Sequence, residues 1–335
     1  AVNTADAVVN TADAVNTADA VNTESSKPSL PFIEKYRPNH FKDILSNTNT
    51  IRNINNIIDH NKLPHMLFYG PPGTGKTSTI MACARKLYGN NYSTMTLELN
   101  GSDDRGINTV HQTIREFAHT NKLFKSGIKL VILEEVDSMT YDAQFALRRV
   151  IEKYTYNVRF CLICNYINKI IPALQSRCFR FKFSPLNKSN VNMYLNKIVQ
   201  SEDIKIDQSS IDAIIRLNKG DLRKSINTLQ MVSMTPSLSP SIIYHIMGYP
   251  CDNDVDIIMN TLLEKSVVDA FHIIYNIKNN KGYVVKDIIE QVVLRIVNRD
   301  LMIDIDFKIK ILNILVMIDI QTSSVENDRR YIGAP

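Results

Sequence analysis

A chain of 335 residues, 44% hydrophobic and 22% charged, carries apolar mass for two or three cores rather than one. Its formal net charge of +5 permits a nucleic-acid partner without arguing for one. No apolar run approaches the roughly 20 residues of a bilayer-spanning helix, so no membrane role is expected; the nearest run, Ile309 to Ile320, is broken by Lys310, Asn313 and Asp319 and reads as a packed helix.

The five cysteines, Cys83, Cys161, Cys164, Cys178 and Cys251, are odd in number and scattered, which points to a reducing compartment rather than a disulfide framework. Residues 1–29 stand apart. Ala1 to Thr23 repeats an Ala-Val-Asn-Thr-Ala-Asp unit with neither the apolar stretch of a secretory signal nor the arginines of a transit peptide. It reads as low-complexity sequence, disordered or artificially added.

From Leu30 the proline-bearing, aromatic-basic stretch through Pro38 predicts an ordered extended segment. Ile51, Ile54, Ile57 and Ile58 then recur at helical spacing within Asn49 to His60. Short apolar runs follow at 66–69, 95–99, 130–133 and 159–164, separated by helical patterns. Strands alternating with helices predict a parallel sheet covered on both faces. After Pro185 strand-like runs stop, which divides the chain into an α/β domain at 30–185, a small helical domain at 186–234 and an isoleucine-rich helical domain at 235–335, with the turn-rich Thr235 to Pro240 as linker.

Gly70, Pro71, Pro72, Gly73, Thr74, Gly75, Lys76 and Thr77 fit a phosphate-binding loop, set between an apolar strand and a helical stretch beginning at Ser78. Glycines let backbone N–H groups turn inward around phosphates, and the following helix adds its positive end. Lys76 would reach the β- and γ-phosphates of ATP and Thr77 would hold Mg²⁺. Glu134 and Glu135 close the run 130–133 and would serve the metal and the attacking water respectively; the bland alternative is a strand that merely ends in two acids. Asn165, after the next strand, either contacts the γ-phosphate or caps a loop. Cys161 and Cys164, three apart on a strand, face opposite sides and form no metal site.

Further motifs carry a resemblance: Glu34-Lys35-Tyr36-Arg37-Pro38, the loop 70–77, Leu97 to Gly106, Ala146 to Glu152, Pro172 to Cys178 and Gly220-Asp221-Leu222-Arg223. With these, the chain from Leu30 onward resembles the small subunits of replication factor C, AAA+ ATPases that load sliding clamps. Arg159 to Cys178 looks most like the subunit counted fifth in animals and third in budding yeast. The resemblance implies an AAA+ phosphate-loop domain, a helical lid and an all-α collar that joins subunits into a hetero-pentamer in the nucleus. It implies an ATPase that helps place the PCNA clamp on primer–template DNA in replication and repair. It puts Asn165 and Arg223 at the two sensor positions, Arg177 on the ATP of a neighbouring subunit, and Tyr36, Arg37, Pro38 and Ser78 in the nucleotide site.

The resemblance also makes Arg105, Arg115, Arg148 and Arg149 candidate phosphate contacts along DNA. It turns the helix of Gln112 to Ala118 and the segment Thr140 to Phe145 toward the clamp, and leaves a short last collar helix. Two positions depart from the family pattern, which usually has Asp at Glu134 and Ala at Gly101. The longer carboxylate loosens the geometry Mg²⁺ demands and motivates a second reading, an ATP-binding scaffold that lends Arg177 without hydrolysing its own nucleotide. A branch-migration helicase on the same domain is a third.

Overall fold

The computed structural model describes residues 30–44, 47–60, 63–102, 107–119, 127–235, 238–298 and 305–327. Strands β1 (Met66–Tyr69), β2 (Thr96–Asn100), β3 (Lys129–Glu134), β4 (Val158–Cys164) and β5 (Phe179–Lys182) form one sheet in the order β2-β3-β4-β1-β5. Every paired neighbour is parallel, with Leu67 opposite both Leu162 and Arg180. Helices α1 (Phe32–Lys35) and α2 (Thr48–Asp59) precede the sheet. Then α3 (Lys76–Tyr88) and α4 (Tyr92–Met95) join β1 to β2, α5 (Ile107–His119) joins β2 to β3, α6 (Tyr141–Tyr154) joins β3 to β4, and α7 (Pro172–Gln175) joins β4 to β5.

The central strands are apolar on both sides because both are covered. Met66, Phe68, Ile132, Cys161 and Ile163 pack with Ile54 and Ile58 of α2 and Ile80 and Cys83 of α3. Their strand neighbours Leu67, Leu133, Leu162 and Cys164 pack with Ile114 of α5, Leu147 and Ile151 of α6, and Leu174 of α7. Cys161 and Cys164 thus lie in opposite cores, as period-two alternation requires. The strand at 179–182 escaped the sequence reading. It is an edge strand paired with β1, and its Phe179, Arg180 and Lys182 are exposed, so no apolar run marks it.

The second core gathers α8 (Lys188–Ser201), α9 (Gln208–Asn218), α10 (Leu222–Ser233) and α11 (Pro240–Ile246) around Val191, Leu195, Ile214, Leu229 and Ile243. Fully burying each such side chain contributes roughly 1.5–3 kcal/mol. Asp207 and Asp221 cap α9 and α10, accepting from the N–H groups of Ser210 and Lys224. Two expectations are corrected here. The proposed boundary at 234 falls inside this core, because α11 packs on α9. The segment after Leu30 is a helical turn, and Phe32, Ile33 and Tyr36 pack in this second core instead of against the sheet.

A third core, of Val255, Ile258, Tyr283, Ile288, Val292 and Ile296, joins α12 (Asp252–Glu264), α13 (Val267–Lys281), α14 (Val285–Asn298) and α15 (Ile305–Asn327). The last helix, expected to be short, runs 23 residues. No helix among the described residues is long and apolar enough to cross a membrane.

Candidate active site

The loop after β1 is shaped by glycines that nothing larger could replace. Gly70 has φ +143°, and a Cβ there would stand 2.0 Å from the Phe183 carbonyl oxygen. Gly73 has φ +69°, and its Cβ would meet Asp221 Oδ1 at 1.9 Å. Gly75, also at positive φ, is the N-cap of α3, so Lys76 opens that helix. The Lys76 side chain is buried, and its ammonium donates to the carbonyls of Gly70 at 2.7 Å and Pro71 at 2.8 Å and to Asn165 Oδ1 at 2.9 Å. Burial lowers its pKa, while the charges of Asp137, Asp221 and Glu134 pull it back up.

β3 delivers the carboxylates. Glu134 ends the strand half-buried, and Glu135 follows in the left-handed region, at φ 52° and ψ 39°. A non-glycine residue there stores strain of order 1–3 kcal/mol, a feature concentrated at functional sites. The Glu135 carbonyl is held by the N–H of Ser138 at 2.9 Å and its hydroxyl at 2.6 Å. Asn165 leaves β4 with its N–H donating to Asp137 Oδ2 at 3.1 Å, as does Tyr166. Asp137 therefore fixes the backbone that aims the Asn165 amide at Lys76. The sequence offered a signal, an acid two residues beyond Glu135, that reads equally as a helix-capping charge.

The second helical unit closes the site from above. Asp221, the cap of α10, abuts Gly73, and Arg223 lies in the first turn of that helix. Tyr36, Arg37 and Pro38 form another wall. A cleft of about 530 Å³ is lined by these residues together with Pro72 to Ser78, Glu134, Glu135 and Asn165. That volume suits a nucleotide-sized ligand. The glycine cradle, the buried ammonium, the N-terminal end of α3 and the paired carboxylates suit a metal-bound triphosphate. The carbonyls of Gly70 and Pro71 enter through Lys76 rather than by lining the cleft.

Residues 66–186 match the ATPase family associated with various cellular activities (AAA), and residues 250–325 match the replication factor C C-terminal domain. Replication factor C subunit 3 of Schizosaccharomyces pombe is 49% identical over 79% of this chain and 78% of its own length. Probable replication factor C subunit 5 of Dictyostelium discoideum is 46% identical over 91% of this chain and 89% of its own. The chain belongs to the replication factor C subunits. It is therefore an AAA+ ATPase that binds nucleotide and acts within the multi-subunit replication factor C complex. The Thermotoga maritima RuvB Holliday junction branch migration motor superposes with TM-score 0.51 at 14% identity, over 76% of this chain and 91% of that one, a likeness of fold alone.

Other residues marked by the replication factor C resemblance lie away from the cleft. Arg177, two residues beyond α7, donates to the Ala173 carbonyl at 2.9 Å and pairs with Glu152 Oε1 at 2.5 Å. Arg148 on α6 donates to that same oxygen at 3.0 Å. Arg149 and, on α5, Arg115 are exposed; Arg105 lies outside the described residues.

Proposed function

We propose that this subunit binds and hydrolyses Mg·ATP to help open the PCNA sliding clamp and set it on primer–template DNA in the nucleus, as one member of a hetero-pentamer. The observation that carries the reading is the convergence of Lys76, Asn165, Glu134 and Glu135 at one end of the sheet, under a helical unit that brings Arg223.

Thr77 and Glu134 would hold Mg²⁺, which when bound neutralises phosphate charge. Lys76 offers an ammonium whose lowered pKa reflects how little water reaches it, and a charge in so dry a place acts strongly on an anion. Glu135 is the base that takes the proton of the attacking water, with Asn165 orienting that water. Arg223 adds positive charge from the lid. Arg177 is one-third exposed and outside its own cleft, as a group serving a neighbour's nucleotide must be. Arg115, Arg148, Arg149 and Arg105 would meet DNA phosphates without reading bases. Tyr141 and Phe145, 65% and 47% exposed one turn apart on α6, suit a clamp-facing surface. Exposed Val267, Phe271 and Val297 suit subunit contacts in the collar.

The test is a reconstituted pentamer carrying Lys76→Ala in this subunit. Lost clamp loading and reduced ATP turnover are expected; unchanged values of both would end the reading. Glu135→Gln separates a hydrolysing subunit from a scaffold that only lends Arg177, because in a scaffold turnover would not change.

A further inference from the structure

The wall of the cleft formed by Tyr36, Arg37 and Pro38 is fastened to the lid at several points. The N–H of Phe32 donates to Gln230 Oε1 of α10 at 3.0 Å. The Tyr194 hydroxyl of α8 donates to the Tyr36 carbonyl. Glu202, the C-cap of α8, uses one oxygen to take both the Lys35 ammonium at 2.7 Å and the Tyr36 hydroxyl. Its side chain is 18% exposed, and those two donors hold its carboxyl below the usual range. Beyond Pro38 the chain changes sides: Asn39 Oδ1 accepts from Arg85 of α3, on the phosphate-loop domain. The crossing falls at Arg37–Pro38, where the proline ring fixes its own φ and restricts the residue before it.

Glu202 does not line the cleft. We infer that it is a positioning residue for the base and sugar of the bound nucleotide. By tying Lys35 and Tyr36 to the helical unit that carries Arg223, it makes that wall and that arginine move as one body. The part of the nucleotide beyond the phosphates is then registered against the phosphate end by a carboxylate that touches neither. This rests on the reading that a triphosphate occupies the loop 70–77.

Titration of the full chain with Mg·ATP and with Mg·tripolyphosphate tests it. Tripolyphosphate supplies the charge without base or sugar. Glu202→Gln is expected to weaken ATP about three- to tenfold and to leave tripolyphosphate within about twofold. Tyr36→Phe, which removes one of the two donors while keeping the ring, should weaken ATP in the same selective way by a smaller factor. The swapped pair Lys35→Glu with Glu202→Lys should recover at least part of the loss. Equal weakening of both ligands would make Glu202 a fold-stabilising residue and overturn the inference; so would no change in either. If Lys76→Ala bound both ligands as tightly as the parent chain, the triphosphate reading itself would fall, a result distinct from failure at Glu202.

Discussion

Gly101 donates its N–H to the Glu134 carbonyl at 2.7 Å, and a methyl group added to it would stand 3.0 Å from the Glu135 carbonyl oxygen and 3.1 Å from that of Glu134. The two positions that the sequence resemblance marks as departures from the usual pattern are therefore in contact. Besides the Met139 side chain at 3.0 Å, which can move, a methyl would press on two backbone carbonyls of a turn already held at positive φ, which have little room to yield.

From that contact, Gly101→Ala is expected to lower ATP turnover severalfold by displacing the end of β3, with a stability loss of about 1 kcal/mol. Glu134→Asp, which shortens the carboxylate by one methylene, is expected to raise Mg²⁺-dependent turnover. Coupling between the two should exceed about 0.5 kcal/mol in a double-mutant cycle on turnover. Strict additivity would show that the contact carries no influence on the site.

Asp137 holds two N–H groups at 3.1 Å each, those of Asn165 and Tyr166, across the gap between β3 and β4. Asp137→Ala strands both donors and lets Asn165 drift from Lys76. Turnover should fall at least about tenfold, in line with roughly 1.5–3 kcal/mol for bonds to a charged acceptor, with ATP affinity changed much less. Asp137→Asn keeps one acceptor oxygen and should lie between. A turnover of Asp137→Ala equal to that of the parent would remove Asp137 from the site.

The difference between what was legible and what was hidden follows sequence distance. The β1–loop–α3 unit could be read because its strand, glycines, lysine and helix are contiguous and each local preference agrees. The opposed cores of Cys161 and Cys164 were legible from alternation alone. The attachment of α1 to the lid was not, because the carboxylate that receives Lys35 lies 167 residues away. The role of Asp137 was hidden likewise, since its partners come 28 and 29 residues later. β5 was missed because an exposed edge strand need not be apolar, and α11 was grouped with the third unit because the turn-rich stretch before it reads as a boundary, while Ile243 and Tyr244 are buried in the second core.

In the third helical unit Asp254, 5% exposed, accepts from Lys281 at 2.6 and 2.8 Å, from the Tyr283 hydroxyl at 2.6 Å and from the Cys251 thiol at 3.1 Å. Burial alone would raise its carboxyl pKa, but these donors outweigh it and hold the carboxyl below the usual range. Asp254→Ala strands the buried Tyr283 hydroxyl and should cost about 2–4 kcal/mol. Hydrogen exchange should quicken in α13 and α14 while Mg·ATP affinity at the distant cleft stays as in the parent. Unaltered exchange in those helices would show that the node holds nothing together.

His65 sets a pH limit at the end of β1 opposite the phosphate loop. Its Nδ1 accepts the Phe160 N–H at 3.2 Å, and its ring lies 5.7 Å from the Phe160 ring. An acceptor at Nδ1 requires the neutral ring. Burial, helped by the charge of Arg159, pushes its pKa down to about 4. In the unfolded chain an ordinary histidine titrates near ~6.5, so between these values the unfolded state binds a proton that the native state refuses. Stability is then complete above about pH 6.5 and falls as the pH drops toward 4, by up to about 3 kcal/mol. Carboxylate midpoints lie at or below about 4.5, and comparison with a variant that lacks this ring separates its share of the change between pH 6.5 and 4.5 from that of other titrating groups. Urea unfolding at these two pH values should show a stability difference that His65→Gln, which keeps an acceptor but does not titrate, largely abolishes. Equal pH slopes for the two proteins would show that the ring takes up its proton in place.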